Sequence, residues 1–445
     1  MTRPPAGRPC WPGPDPDPTA PPGAEPSPPP RVRGVVDADV TVVGAGLAGL
    51  STAYHLADRD PSLDILVVDA EGPAAGASGR GTGLLGPRVG PPVDRAVARF
   101  GPDTARRMHR ASVDAVEQVV ELCARLGVTT TVRTGEQLVA TRTADGLAAL
   151  ARQSAAYRAL GLDVPVLSAA EIRDRLDVPY HAGLQYRAAA LDPSALTGAL
   201  ARACAAKGVR FLGNSRLLAL RPGRTAAETQ LAFPGGTVRT RRAVLAVNAA
   251  AGELKLPVGT VLPLLVHAVA TEPLPEAARA AFGGRGDCAL IDAHALAPYF
   301  RLTPDGRLVL GGGRPLLAPV ADDAGAAAVW AWLEKRLRRL HPALADVEVT
   351  HRWAGQIGMT ADGLPVVGPL TGHPDVWYVG GCCGHGLAMS VAHGAHVARA
   401  LTDGAPARLP WHRSRAPRLP LPRPARPLLS AALGLMDRGA RRAAA

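Results

Sequence analysis

Aromatic residues make up only 4 % of this 445-residue chain, methionine occurs five times and cysteine six times. There is no uninterrupted apolar run of about 18 residues, so no transmembrane span is expected. The cysteines, at positions 10, 123, 204, 288, 382 and 383, include no CxxC pair. That argues against zinc and disulfide frameworks and fits a reducing cytoplasm. Cys382 and Cys383 are not expected to bridge, because a bond between adjacent cysteines is strained. The start lacks the basic and apolar regions of a signal peptide. Met1 to Pro30 is crowded with proline instead. Residues 1–36 are therefore expected to be a disordered tail, or to reflect a start placed too far upstream. No Ser/His/Asp set, paired-carboxylate motif or metal-ligand spacing stands out, and no metal is expected.

The net charge of +12 is unevenly placed. Residues 406–445 hold nine arginines (408, 413, 415, 418, 423, 426, 438, 441 and 442) and one acid, Asp437, so the rest of the chain carries only +4. Arginine heavily outnumbers lysine, and the basic residues are not interleaved with aromatics, so a nucleic-acid partner is not expected. This basic Pro/Arg-rich tail contains one short apolar patch, Leu428 to Met436, enough for a docking helix but too short to span a membrane.

What the chain does have is glycine in informative places. Val40-Thr41-Val42-Val43 runs into Gly44-Ala45-Gly46-Leu47-Ala48-Gly49, and Ile65-Leu66-Val67-Val68 ends on Asp69. This strand, glycine turn, helix, strand and acid order is the pattern of a dinucleotide-binding βαβ unit. Gly44 permits the tight turn, Gly46 removes the Cβ that would block a pyrophosphate, and Gly49 lets the helix lie close on the strand. The helix start offers N–H groups and a positive dipole to the phosphates, and Asp69 can accept hydrogen bonds from a ribose. A glycine-rich stretch, Gly72 to Gly83, follows and is too long for an ordinary turn.

Helices are expected over 92–127 and 144–160, with a strand at 138–141 between them. Asp192 reads as an N-cap with Pro193 at the first helical position, opening helix 195–207. Strand 209–212 and a meander (217–220, 229–233, 237–240) come next, then a buried parallel strand from Arg242. Further strands are expected at 266–271, 299–302 and 308–310, and a helix at 329–339. The last folded segment repeats the first theme: Val376 to Val379, then Gly380-Gly381-Cys382-Cys383-Gly384-His385-Gly386, then helix 387–401.

The second glycine-rich helix start narrows the cofactor. The first binds a pyrophosphate, and the second calls for another electron-rich target. A reduced flavin gathers negative charge near N1 and the C2 carbonyl, which a helix N-terminus stabilises. FAD is therefore expected. A nicotinamide dinucleotide on the first unit alone, making an NAD-dependent dehydrogenase, is the main rival, and a non-catalytic flavin-binding protein is a third reading.

Taken together, Val42 to Gly49, Gly76-Ala77-Ser78-Gly79-Arg80, Leu191-Asp192-Pro193, Trp353-Ala354-Gly355, Asp362 to Gly368 and Gly384-His385-Gly386 resemble the D-amino-acid oxidase superfamily of FAD-dependent amine oxidoreductases. Tyr299 to Arg307 and Gly311 to Gly313 are most similar to its gamma-glutamylputrescine oxidase branch. The resemblance covers about 37–405. It implies an α/β fold with a Rossmann-like FAD-binding domain built from discontinuous segments (37–90, 187–255 and 349–405). An α+β substrate domain with a mixed sheet (91–186 and 256–348) would complete it. The implied cofactor contacts are Gly44, Gly46, Leu47, Gly49, Asp69, Ala70, Ala77, Ser78, Arg80, Gly83, Asn248, Gly384 and Gly386.

Departures from the family pattern bear on the substrate. Glycine oxidase relatives carry a carboxylate-clamping arginine just after the Trp/Ala/Gly segment, where this chain has Gln356-Ile357-Gly358. Sarcosine oxidase relatives place a lysine where Leu387-Ala388 stand. An unpaired buried carboxylate is costly. The expected substrate is therefore an amine, or an amino-acid derivative whose carboxylate lies far from the reacting carbon. Arg301 stays open as a carboxylate ligand, and a small amino acid of the glycine, sarcosine or D-amino-acid type is the alternative. Segment 355–359 lacks the cysteine that holds FAD covalently in sarcosine oxidases, so non-covalent FAD is expected. Val309 stands where those enzymes carry their dioxygen-activating lysine, which leaves dioxygen and another electron acceptor both open. The expected chemistry is hydride transfer from the carbon beside a neutral amine to flavin N5, with hydrolysis of the resulting imine. The candidate catalytic residues are His385, Tyr299, Arg301, His267 and Trp353. Against each stands a plainer role: His385 capping a turn, His267 buried in a sheet, Trp353 in the core. Oligomeric state stays open.

Overall fold

Val40, Val42 and Val43 are buried β-branched residues, suited to a strand covered on both faces. They end the strand Gly34–Val43, which pairs in parallel with Ile65–Val68 on one side and Gly236–Leu245 on the other. The computed structural model describes residues 7–11, 29–223, 228–284, 286–293, 298–317, 323–404 and 409–419. The main path of this eight-stranded sheet runs Val366–Leu370, His373–Gly380, Gly236–Leu245, Gly34–Val43, Ile65–Val68, Arg210–Leu212. Gly236–Leu245 is one strand where the sequence suggested two. Beyond its pairing with Gly34–Val43, its first half pairs antiparallel with Thr229–Phe233 and its second half parallel with Val376–Tyr378. Such long-range partners leave no local mark in the sequence.

Helices Leu47–Arg59 and Gly386–Asp403 pack against each other on this sheet. The Ser51 hydroxyl donates to the Val391 carbonyl (2.8 Å), and a Cβ on Gly394 would stand 2.6 Å from Ser51 Cβ. Only glycine allows that approach. Helix Pro193–Ala206 is capped by Asp192 with proline in its first turn, as expected.

The second sheet has nine strands. In order it runs Val349–Met359, Leu262–Pro273, Arg307–Leu317, Tyr299–Leu302, Cys288–Asp292, Arg133–Thr141, Ala182–Ala190, Leu84–Leu85, with Val166–Ser168 beside Ala182–Ala190. It is mixed, because Cys288–Asp292 is parallel to Arg133–Thr141 while the other pairs are antiparallel. Residues 187–190 and 349–359 pair here, although the segment boundaries drawn from the sequence group them with the FAD-binding segments. Helix Asp323–Arg338 packs on Leu262–Pro273 and Arg307–Leu317. Among the described residues no helix is long and apolar enough to cross a membrane.

The N-terminal tail departs from the disorder expected of it, and the C-terminal one docks in part. Within 1–36, Gly7 bridges to Trp353, Trp11 is buried, and the strand that opens the first sheet begins at Gly34. Within 406–445, Trp411 is buried and donates its indole N–H to His393 Nε2 (3.0 Å), and Arg413 pairs with Asp362. In each tail a single aromatic anchor among prolines finds a slot on the folded body. The apolar patch 428–436 lies outside the described residues.

Candidate active site

The site is assembled from loops that leave the two sheets. Gly44 turns with φ +110 and donates its N–H to Val68 O (2.8 Å). A Cβ there would stand 2.6 Å from Ala246 O, and one on Gly49 would collide with Gly44 O. Gly46 is the N-cap of helix Leu47–Arg59 and offers no side chain to it. Ser78, in the short helical turn Ala77–Gly79, supplies the missing cap from another loop, its hydroxyl accepting the Leu47 N–H at 2.9 Å. Asp69 accepts Ala45 N–H on one oxygen and Glu71 N–H on the other, both at 2.8 Å. It thus braces the glycine turn, with lone pairs left on each oxygen. Beside it opens a pocket of about 260 Å³, lined by Ala45, Val67, Asp69, Pro73, Ala205 and Phe211 among others. Ala70 is exposed and is not among the residues that line it. A largely apolar pocket with a carboxylate at its mouth and a helix N-terminus alongside fits the adenosine half of an adenine dinucleotide.

A second convergence lies at 248, 358 and 381. Asn248, held at φ +42, accepts the Gly381 N–H on its side-chain oxygen (2.9 Å), and its carbonyl accepts the Tyr378 hydroxyl (2.7 Å). A Cβ on Gly358 would strike Asn248. Gly384 turns at φ +85, and His385 then caps helix Gly386–Asp403 without a side-chain hydrogen bond. The first N–H groups of that helix have no acceptor within it. The two glycine-rich helix starts thus belong to one layer, since their helices pack side by side. Burial and nearby Arg88 push the His385 pKa down to about 3, so its imidazole is neutral.

The candidates on the second sheet separate by face. Tyr299, Arg301 and Trp353 share one face, with Val309, Gly311 and Ala268 as cross-strand neighbours. That face meets the glycine-rich loop. Tyr299 hydrogen-bonds the Thr82 side chain, and the Trp353 indole donates to Arg80 O (2.9 Å). Arg80 in turn donates to Gly7 O (3.1 Å) and Ala354 O (3.3 Å). Arg301 is buried and gives three of its five N–H donors to carbonyls, Thr82 O (2.7 Å), Leu191 O (2.8 Å) and Leu302 O (3.1 Å), beneath the Trp11 ring. Burial draws its pKa down to about 10. Gly83 sits at φ +80 where any Cβ would meet Leu191 O and the Arg301 guanidinium. Arg301 therefore ties the loop to the second sheet.

His267 belongs elsewhere. It pairs with Gly312 and Ala354 and so points to the opposite face, edge-on to Trp330 at 5.7 Å, with neither ring nitrogen partnered among the described residues and burial pushing its pKa down to about 4. It is a core histidine. Strand alternation alone could not tell which face helix Asp323–Arg338 would cover.

Sequence reasoning passed over Arg88. It follows the short strand Leu84–Leu85 and is exposed, and its positive charge helps to hold the His385 pKa down. Nothing local marks it among 50 basic residues.

A dinucleotide cradle, a second glycine-rich helix start and a mixed sheet facing both define a flavin-dependent oxidoreductase. The DAO family profile, FAD dependent oxidoreductase, matches residues 39–400, and the chain belongs to that family. It is 28% identical to gamma-glutamylputrescine oxidoreductase of Escherichia coli over 375 residues, 83% of this chain and 85% of that enzyme. It is 25% identical over 382 residues to the probable oxidoreductase OrdL of Haemophilus influenzae, 84% of each chain. Among solved structures, glycine oxidase from Geobacillus kaustophilus superposes with a TM-score of 0.69 at 21% identity, over 84% of this chain and 96% of that one. The cofactor is FAD.

Proposed function

We propose that this chain oxidises the C–N bond of an amine or an amino-acid derivative resembling gamma-glutamylputrescine. The observation that carries the reading is the pair of glycine-rich helix starts, 44–49 and 384–386, on helices packed together against one sheet. The likeness to the Escherichia coli enzyme over most of both chains supports the substrate class. FAD, when bound, contributes hydride acceptance. The chain contributes the rest: Ser78, Asp69 and Asn248 hold the cradle rigid, and the N-terminus of helix Gly386–Asp403 offers donors where negative charge would develop. A neutral His385 beside it adds no positive charge, and with its pKa pushed down to about 3 it stays unprotonated near neutral pH. Loss of a hydride from the carbon beside the neutral amine, with the nitrogen lone pair forming the new C=N bond, would leave an iminium that water hydrolyses to a carbonyl compound and an amine.

Gln356, Ile357 and Gly358 offer no cation, and Arg301 is buried with three of its donors on carbonyls, which disfavours glycine-type substrates. Anaerobic bleaching of the band near about 450 nm by putrescine derivatives, set against glycine, sarcosine and D-alanine, tests the reading. Strong reduction by the second group alone would overturn it. Burial pushes the Cys382 thiol up to about 12 and also raises that of Cys383, so neither offers a thiolate near neutral pH. FAD is accordingly expected in the supernatant after acid precipitation.

A further inference from the structure

Pro29 lines the pocket beside Asp69, although it lies before the first strand and belongs to no dinucleotide-binding motif. Its place is fixed by the segment that leaves strand Arg210–Leu212. The Gly213 N–H donates to Pro30 O (2.9 Å), and the Val32 N–H donates to the Ser215 hydroxyl (2.9 Å). Val32 and Ser215 are both buried. A Cβ on Gly213 would collide with the Pro29 ring, so this wall closes only over a glycine. The Ser215 N–H in turn donates to Asp69 O (2.9 Å). Residues 29–32 are thereby wired to the acid at the mouth of the adenosine pocket.

The N-terminal segment meets the cradle a second time, further upstream. Gly7 bridges to Trp353 and its carbonyl accepts from Arg80 (3.1 Å), while the Trp11 indole donates to Gly81 O (2.9 Å). Trp11 also packs in a buried cluster with Ala268, Ala270, Val309 and Trp353. Arg80 and Gly81 come directly after Ser78 and Gly79, and Ser78 caps the first glycine-rich helix start. Along the cradle the order is therefore the Asp69 pocket, the start of helix Leu47–Arg59, then loop 79–83. One N-terminal segment holds the first of these and the last. Each contact is small, a few hydrogen bonds with a proline wall or one indole. Joined through residues 12–28, each end keeps the other at a high effective concentration over its dock.

We propose that the N-terminal segment is a two-ended clasp of FAD. Residues 29–32 complete the wall of the adenosine pocket, residues 7–11 fix the loop at the other end of the cradle, and the cofactor exchanges when the clasp lifts. The clasp rests on the placement of the adenosine half beside Asp69 and is independent of which amine is oxidised. Linkage makes it reciprocal: the factor by which the clasp tightens FAD is the factor by which FAD tightens the clasp.

The test is a cut that leaves both sets of contacts chemically intact. A specific protease site is placed within residues 12–28 of the full-length holoenzyme, and exchange of bound FAD against excess radiolabelled FAD is followed before and after cleavage. The uncut protein should exchange at the wild-type rate. Cleavage should let the fragment bearing Trp11 separate on gel filtration and speed exchange by about tenfold or more, because the tether no longer returns that end to its dock. Trp11→Ala should speed the uncut protein to a similar extent and the cut protein no further. Ser215→Ala removes the acceptor of Val32 at a residue outside the pocket lining, and should speed exchange severalfold; Pro29→Gly serves if that variant fails to fold. The isolated fragment should also bind the cut holoenzyme more tightly than the cut apoprotein, by the factor that cleavage costs in FAD affinity. Exchange that is unchanged once the fragment has left, or a fragment that stays on the protein after the cut, would overturn the clasp.

Discussion

Trp11 and Trp353 meet edge to face, ring centroids 6.4 Å apart, with the Trp11 indole donating to Gly81 O and the Trp353 indole to Arg80 O. The glycine-rich loop 79–83 is thus pinned by two indoles, one from strand Val349–Met359 and one from the far N-terminus. Arg301 stacks on the Trp11 ring at 5.1 Å while its nitrogens hold Thr82 and Leu191. Ser78 directly precedes the loop and Arg80 lies within it, so its order bears on the cofactor. Trp11→Ala should weaken FAD retention by about tenfold and destabilise the fold by roughly 1–3 kcal/mol. That is less than for a central tryptophan, because a terminal segment can detach. Flavin fluorescence on dilution and a thermal melt measure the two. Unchanged FAD affinity would show that the N-terminal segment is only packing.

Ser78 caps a helix that its own segment leaves uncapped. Ser78→Ala strips the acceptor from Leu47 N–H and should cost about 1 kcal/mol of stability in the apoprotein, the usual worth of an N-cap. If phosphate approaches that helix start, the variant should also bind FAD several-fold more weakly, with Gly46 N-terminal geometry otherwise unchanged. Chemical denaturation of the apoprotein and FAD titration separate the two effects.

The parts of this chain that could be read from sequence are those where a backbone requirement dictates the residue. Gly44, Gly49 and Gly384 are glycines because of a positive φ or a carbonyl in the way, and Asp192 with Pro193 announces its helix by local chemistry. Arg301 and His267 were recognisable as unusual strand residues, but their roles depend on which sheet face is covered. That was set by the distant helix Asp323–Arg338 and by loop 81–83. Trp11 is a lone aromatic among prolines, with no periodicity to betray its slot. Arg88 matters through its charge on His385, nearly 300 residues away in sequence, a relation that exists only after folding.

His267 gives a stability prediction with a definite sign. Its pKa falls from 6.5 in the unfolded chain to about 4 when folded. Above pH 6.5 it is neutral in both states and its contribution is fully present. As the pH drops below that value the unfolded chain takes the proton first, and stability is lost at up to roughly 1.4 kcal/mol per pH unit until about pH 4. His267→Leu removes this slope. It also removes two buried nitrogens that lack partners, so the variant should be at least as stable as the parent at pH 7.5 and gain roughly 1–2 kcal/mol over it near pH 5. Urea midpoints at the two pH values check this, and a variant less stable at both would restore a structural role for the imidazole.

Asp362 and Arg413 join the C-terminal segment to the body. The carboxylate side chain is 6% exposed and the guanidinium 18%, and Arg413 also donates to Leu364 O and Pro365 O. Arg99, 3.5 Å from the same carboxylate, supplies partial compensation when Arg413 is lost. Arg413→Gln should therefore destabilise by about 2 kcal/mol, below the 3–5 kcal/mol typical of stranding one partner of a buried pair. Asp362→Asn in the Arg413→Gln background should cost little more, giving a coupling of about 1–2 kcal/mol in a double-mutant cycle. The same loss should free Trp411 from His393, read as a red shift of tryptophan fluorescence. A coupling near zero would mean that Trp411 alone holds the segment, and Trp411→Ala would then produce the larger loss.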